Sequence, residues 1–354
     1  VTEPGSRVLT PPGPGPGGGA GTGGRDVLTR SLGIFARQRE TTVLVVAVAL
    51  LLYFGLSHGS TFVTKTNAVD LLSENVAPIA IIAIGEVLLL ICGEIDLSVG
   101  FIYTFAPIVM YLAITDYHVP VALAVILGLL SGVAAGWVNG FITVTLRVPS
   151  FITTIGTGFI LDGLALTLTH AEPSEIPPSS ISVGKWLGIP GNPWEWAPFI
   201  WAAVLILIFH VVLIRTRWGL HTIATGGNQL AAREAGVNVG RIKYGNFMIT
   251  GFMGALVGLQ VAFYTNNVDP SAGGYTPMFY AVIAAVIGGT AMLGGSGTIL
   301  GAFLGAVVLS TLTDGFDILG VSSNPLPIIF GGAIVVAMIA NVQLARLRQA
   351  GRTL

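Results

Sequence analysis

Ten apolar runs, each near the length that carries a helix across a bilayer, dominate the chain: 42–57, 76–93, 98–115, 119–142, 150–169, 197–214, 245–265, 277–294, 298–316 and 326–343. A helix needs about 20 predominantly apolar residues to cross the roughly 30 Å hydrocarbon core. In lipid every backbone polar group must be paired within its own segment, so such runs are read as helices. The expected fold class is all-α, a polytopic membrane protein of about ten transmembrane helices. Composition agrees: only 9% of the 354 residues are charged and the mean hydropathy is +0.82, whereas soluble domains carry about 25% charged residues. The runs 76–93 and 98–115 are separated only by GEIDLS, residues 93–98. One of that pair is therefore open to being a broken or re-entrant helix, and run nine is short and includes Asp314.

Lys and Arg set the orientation, because cytoplasmic loops hold the positive charge. With the N-terminus inside and strict alternation, 14 of the 16 basic residues fall on the cytoplasmic side and only Lys65 and Lys185 stay outside. An odd number of spans would throw a basic cluster to the wrong face, so both termini are expected in the cytoplasm. Residues 1–41 read as a disordered tail, 42–343 as the transmembrane domain and 344–354 as a second cytoplasmic tail. The first tail is rich in Pro and Gly and too poor in apolar residues to fold. Gly13, Gly15 and Gly18 spell GxGxxG, but no strand precedes them, which removes the dinucleotide reading. The tail also lacks the basic, apolar and small-residue order of a cleaved signal.

Chemistry in the chain itself is sparse. Cys92 is the single cysteine, so there is no internal disulfide, and the five histidines show no ligand spacing. No catalytic residue, metal site, bound cofactor or nucleic-acid partner is expected. Lys65, Lys185 and Lys243 follow no G-x-x-x-x-G, so any ATP, with its Mg, would be held by another chain. Glycines recur every four residues at Gly128, Gly132, Gly136 and Gly140, at Gly297, Gly301 and Gly305, and at Gly254 and Gly258. That spacing puts each set on one helix face and indicates a tightly packed bundle.

The segment RTRWGLHTIATGGNQLAAREAGVNVGRIK, residues 215–243, is too polar to span. Gly226 and Gly227 are expected to break any helix leaving run six. Asn228 then caps a short helix over Gln229, Ala231, Ala232, Arg233 and Glu234 to Ala235, and Gly236 ends it. Its alanines would let a partner approach closely, as a permease needs if it is to receive force from a motor domain. The competing reading is a basic loop that only sets topology.

This loop resembles the coupling loop of the ribose-type family of ABC importer permeases. VNGFITVTLRVPSFITTIGTGFILDGLAL (138–166), CGEIDLSVG (92–100) and GGTAMLGGSGTILGAFLGA (288–306) are similar to other segments of that family, in the same order, so that the match covers about residues 70 to 342. The resemblance implies a permease homodimer in the bacterial inner membrane, cytoplasmic ATPase subunits docking at Gly226–Gly236, and an extracytoplasmic sugar-binding protein. Departures from the family pattern are Glu94 in place of a common Gly, Glu86 in place of an apolar or amide residue, and Asp314 and Asp317 in an Asn-rich stretch. They bear on the solute rather than on the family.

Acidic groups within spans should face protein or water, since an ionised carboxylate at the bilayer centre costs roughly 2.5–3.5 kcal/mol. Glu86, Glu94, Asp96 and Asn139 are the substrate-path candidates, with Asp162 a further acid beside a span. Glu86 and Glu94 would share a face if their helix is continuous. Asp96 and Ser98 would alternatively cap the next helix. His210 and the tryptophans of loop 170–196 (Trp186, Trp194 and Trp196) fit the membrane boundary. The rival functions are a secondary transporter or channel working alone, which would use more intramembrane charge, and a membrane enzyme, for which Asp314 and Asp317 in a short outer loop are the nearest acids. The solute itself, whether pentose, hexose or polyol, is not legible.

Overall fold

The computed structural model describes residues 39–322, 324–332 and 335. The N-terminal tail with its GxGxxG, most of run ten and the C-terminal arginines lie outside the described residues.

The helices in order are α1 Arg39–Ser57, α2 Lys65–Ile91, α3 Val99–Thr115, α4 Val121–Thr145, α5 Ser150–Leu168, α6 Trp194–Arg215, α7 Arg217–Gly227, α8 Gln229–Glu234, α9 Val239–Thr265, α10 Tyr275–Ile287 and α11 Ile299–Ile318. Residues 326–332 are helical as well. Strand β1, Ser174–Glu175, pairs antiparallel with β2, Asn267–Val268, and straps the outer loop to the α9–α10 connection. The protein is all-α in the sense expected. Seven of these helices are long and apolar enough to cross a membrane, while α3 and α10 have 17 and 13 residues.

Three expectations about element bounds change. Residues 58–75 are not a plain link, because α2 already starts at Lys65, where Thr64 Oγ1 accepts from the Asn67 backbone N–H at 3.2 Å. Its first turns are polar, so no apolar window reveals them. Run 277–294 ends as a helix at Ile287, and α10 then spans only about 20 Å. Gly289, Gly294 and Gly295 have φ of 92°, 87° and 80° and turn the chain back into the bundle. Asp314 and Asp317 lie within α11 rather than in a loop, and Asn67 Nδ2 donates to Asp314 Oδ2 at 3.0 Å.

The bundle has a tightly buried centre and an exposed apolar rim. The apolar windows of α2 and α9 are 78% and 72% buried, that of α1 only 17%. Leu207 and Ile160 point outward, 66% and 64% exposed, as lipid contacts would. Apolar side chains gain nothing by leaving lipid for protein, so close backbone packing has to hold such helices together. The glycine faces supply it. A Cβ on Gly132 would lie 2.3 Å from the Gly251 carbonyl oxygen, and one on Gly136 2.2 Å from that of Phe247, which seats α4 on α9. A Cβ on Gly258 would lie 2.0 Å from the Tyr103 carbonyl oxygen, which seats α9 on α3, and one on Gly305 2.1 Å from that of Ala284, which seats α11 on α10.

Candidate functional site

The segment after α6 folds much as its capping residues indicate, with one correction. The helix from α6 breaks at Thr216, whose backbone is extended (φ −111°, ψ 160°) and whose hydroxyl accepts from the Gly219 N–H at 3.4 Å. Gly226 and Gly227 instead terminate a second helix, α7. Asn228 caps α8 through Oδ1, which accepts from the Ala231 N–H at 3.0 Å, and Gly236 follows with φ 83°. Ala232 turns inward and is buried. The outer surface of α8 is therefore Gln229, Leu230, Ala231, Arg233 and Glu234, and Leu230 is 67% exposed.

Immediately before α8, Gly226 lies against the end of α2. A Cβ there would sit 1.6 Å from the Ile91 carbonyl oxygen. The same carbonyl accepts the Gly295 N–H at 2.8 Å. Asn246 of α9 fixes the joint from the other side. Its Nδ2 donates to the Leu88 carbonyl at 3.2 Å and lies 3.1 Å from Cys92 Sγ, while its Oδ1 accepts from Trp218 Nε1 at 2.9 Å. Asn246 and Trp218 were not singled out in the sequence. The one signal for Asn246 is an amide inside an apolar run.

Glu86 and Glu94 do not share a face, because α2 stops at Ile91 and Gly93 takes φ 77°. The break sends the two carboxylates apart. Glu94 pairs with Lys243 Nζ at the start of α9, each side chain 12% exposed. Both line a cleft of about 370 Å³ beside α8, together with Thr143, Arg147, Gln229 and Arg233. Glu86 joins Asp96 and Asn139 in a fully buried cluster. Asp96 Oδ1 accepts from the Ser98 backbone N–H at 2.9 Å and from its hydroxyl at 2.6 Å. Asn139 Nδ2 donates to Ser98 Oγ at 2.8 Å and lies 3.3 Å from both Asp96 carboxylate oxygens. Glu86 Oε2 accepts from the Asp96 N–H at 3.5 Å, and Thr154 Oγ1 from the Leu97 N–H at 3.0 Å. Asp96 thus organises the turn into α3 and ties α2 and α4 to it, while Leu97 ties in α5 through Thr154. Asp162 is on α5, half-buried, apart from this cluster.

A short helix with an exposed apolar tip is attached through Gly226 to the break between α2 and α3. Polar groups on both sides hold that break: the Glu94–Lys243 pair outside, the Asp96 cluster inside.

The profile of the family described as branched-chain amino acid transport system / permease component matches residues 69–343. The xylose/arabinose import permease protein XylH of Sulfolobus acidocaldarius is 36% identical over 316 residues, covering 88% of this chain and 86% of that one. The ribose import permease protein RbsC of Escherichia coli strain K12 is 31% identical over 307 residues, covering 86% and 93%. The autoinducer 2 import system permease protein LsrC of Photorhabdus luminescens is 31% identical over 317 residues, covering 88% and 92%. No solved structure matches the chain.

Proposed function

This chain belongs to the ribose-type family of ABC importer permeases and is a multi-pass membrane protein, and from that premise we propose that it is the translocating subunit of an ATP-driven importer for a monosaccharide or a similar small polyhydroxylated solute. Two copies form the pathway. A cytoplasmic ATPase binds ATP and Mg and docks on α8, and an extracytoplasmic binding protein delivers the solute. Both termini lie in the cytoplasm. The permease hydrolyses nothing itself.

The observation that carries the reading is the contact between Gly226 and Ile91. A displacement of α8 cannot be absorbed there, because both surfaces are backbone. It passes to the break between α2 and α3, whose ends are pinned by Glu94–Lys243 and by Asp96–Ser98–Asn139. Alternation between outward- and inward-open states then amounts to re-angling α2 against α3. Gly226, Gly227, Asn228, Gln229, Ala231, Arg233, Glu234 and Gly236 form or frame the docking surface, and Ala232 anchors it from beneath. Glu86, Asp96 and Asn139 lie where the path would close on the cytoplasmic side, with Glu94 at its cytoplasmic exit.

Uptake into proteoliposomes tests this. The chain with its ATPase and loaded binding protein should accumulate sugar only when ATP is supplied. Gly227→Trp, at a position where a Cβ meets nothing within 4 Å, should abolish ATPase association and uptake together. Transport by the chain alone under an ion gradient contradicts the proposal.

A further inference from the structure

The cleft of about 370 Å³ beside α8 holds more charge than the Glu94–Lys243 pair accounts for. Arg147, Arg233 and Lys243 line it together with one carboxylate, Glu94, and three cations against one anion leave it a net charge of +2. Lys243 and Glu94 neutralise each other. Arg147 and Arg233 form no salt bridge among the described residues, so two guanidinium groups converge on one space without a counter-charge.

The wall of the same cleft also carries an unmet polar group. Thr143 is 8% exposed, and its Oγ1 has no hydrogen-bond partner among the described residues. A buried helical threonine ordinarily donates to the carbonyl four residues back, as Thr154, Thr157 and Thr250 do here. Thr143 does not, and folded proteins pair nearly all such groups, so its partner is to be sought in what occupies the cleft. The backbone around it is unusual as well. Phe141–Thr145 is a π-helical turn closing α4, and such wide turns recur at functional sites. Two residues on, Arg147 takes φ 61°, a left-handed conformation that few residues other than glycine adopt, and it reaches the same cleft. The first turn of α9, Val239 and Gly240, forms another wall, and a helix N-terminus favours negative charge.

We propose that this cleft binds a small phosphate monoester, its dianion held by Arg147, Arg233, Lys243 and the Thr143 hydroxyl, with Gln229 and Glu94 left to meet polar groups of the organic part. A phosphate monoester carries about −1.5 to −2 charges at pH 7, which matches the net +2 of the walls. Guanidinium groups fit phosphate oxygens in bidentate pairs. The volume falls in the range of roughly 300–1,000 Å³ typical of small-molecule sites, more than a bare phosphate fills. No aromatic side chain is among the lining residues, which disfavours a nucleobase. A ligand so held bridges α4, α8 and α9. That the cleft opens to the cytoplasm rests on the permease reading above. The same dianion is presented by a soluble ester and by the headgroup of phosphatidic acid.

The test uses the full chain, purified in detergent and also placed in phosphatidylcholine nanodiscs with and without phosphatidic acid. Radiolabelled glycerol 3-phosphate is the soluble probe and glycerol the control. Glycerol 3-phosphate should bind saturably and glycerol should not, and hydrogen exchange should slow together in residues 141–147, 229–234 and 239–243. Arg147→Gln should weaken binding by at least about tenfold, as the loss of a hydrogen bond to a charged group does. Thr143→Val should weaken it about fivefold while the melting temperature holds or rises, since a methyl replaces an unpaired hydroxyl. Protection of the three segments by phosphatidic acid alone assigns the same site to a lipid headgroup. Protection by neither probe, or equal binding by wild type and Arg147→Gln, overturns the site. Protection that needs the ATPase shows that the cations serve docking, and overturns it too. The binding and exchange readouts need neither ATP nor transport, so their failure is separate from a failure of the permease reading, which the uptake assay detects.

Discussion

Gly226 and Gly227 are neighbours with opposite surroundings. A Cβ on Gly226 collides with the Ile91 carbonyl at 1.6 Å, whereas one on Gly227 meets nothing within 4 Å. Gly226→Ala should therefore destabilise the chain by about 1–3 kcal/mol, as overpacking against backbone does. Gly227→Ala should stay within about 0.5 kcal/mol. Thermal unfolding in detergent checks the pair, and equal effects would show that the two helices do not meet there. From sequence the two glycines look alike, because what separates them is an oxygen 135 positions earlier. The caps were legible for the converse reason: Asn228 reaches Ala231 and Gly236 sets its own φ, both within one turn. Asn246 was missed because its partners Leu88 and Cys92 stand 158 and 154 residues away.

Among the helices, the glycine faces give the bundle its register. A Cβ on Gly132 would lie 2.3 Å from the backbone of α9, while one on Gly156 of α5 would meet nothing within 4 Å. Gly132→Leu should prise α4 from α9 and lower the melting temperature by several degrees, corresponding to at least about 1–3 kcal/mol; Gly156→Leu should leave it unchanged. A differential scan of both variants decides the point, and a tolerated Gly132→Leu would contradict the packing. A spacing of four announced that Gly128–Gly140 pack on something; it did not announce α3 and α9, since partner choice is a tertiary property. Element lengths failed where polarity or glycine intervened. The start of α2 is hidden by Lys65, Asp70 and Glu74, and α10 is cut short by Gly288 and Gly289, which hydropathy reads as part of an apolar run. The separator at residues 93–98 was legible, the helices ending at Ile91 and resuming at Val99, and it is the element on which the proposed mechanism turns.

At the scale of the whole molecule, two regions divide the work. On one side α8 offers Leu230 between polar residues and is joined through Gly226 to the break between α2 and α3. Toward the other, two small cavities lie beside the first half of α2. One helix run, Lys65–Ile91, connects them. On the proposed reading the polar groups around residues 91–98 mark a joint, and the energy enters from a partner ATPase. The membrane character was fully legible because hydropathy is additive along the chain. The most direct measurement is co-purification of the ATPase with the Leu230→Asp chain from membranes. Leu230 is 67% exposed, so the fold should be intact. The account predicts that the ATPase is lost, by at least about tenfold in association for a buried charge at the centre of an interface, and that sugar uptake disappears with it. An ATPase that remains bound, with uptake at the wild-type rate, would contradict it.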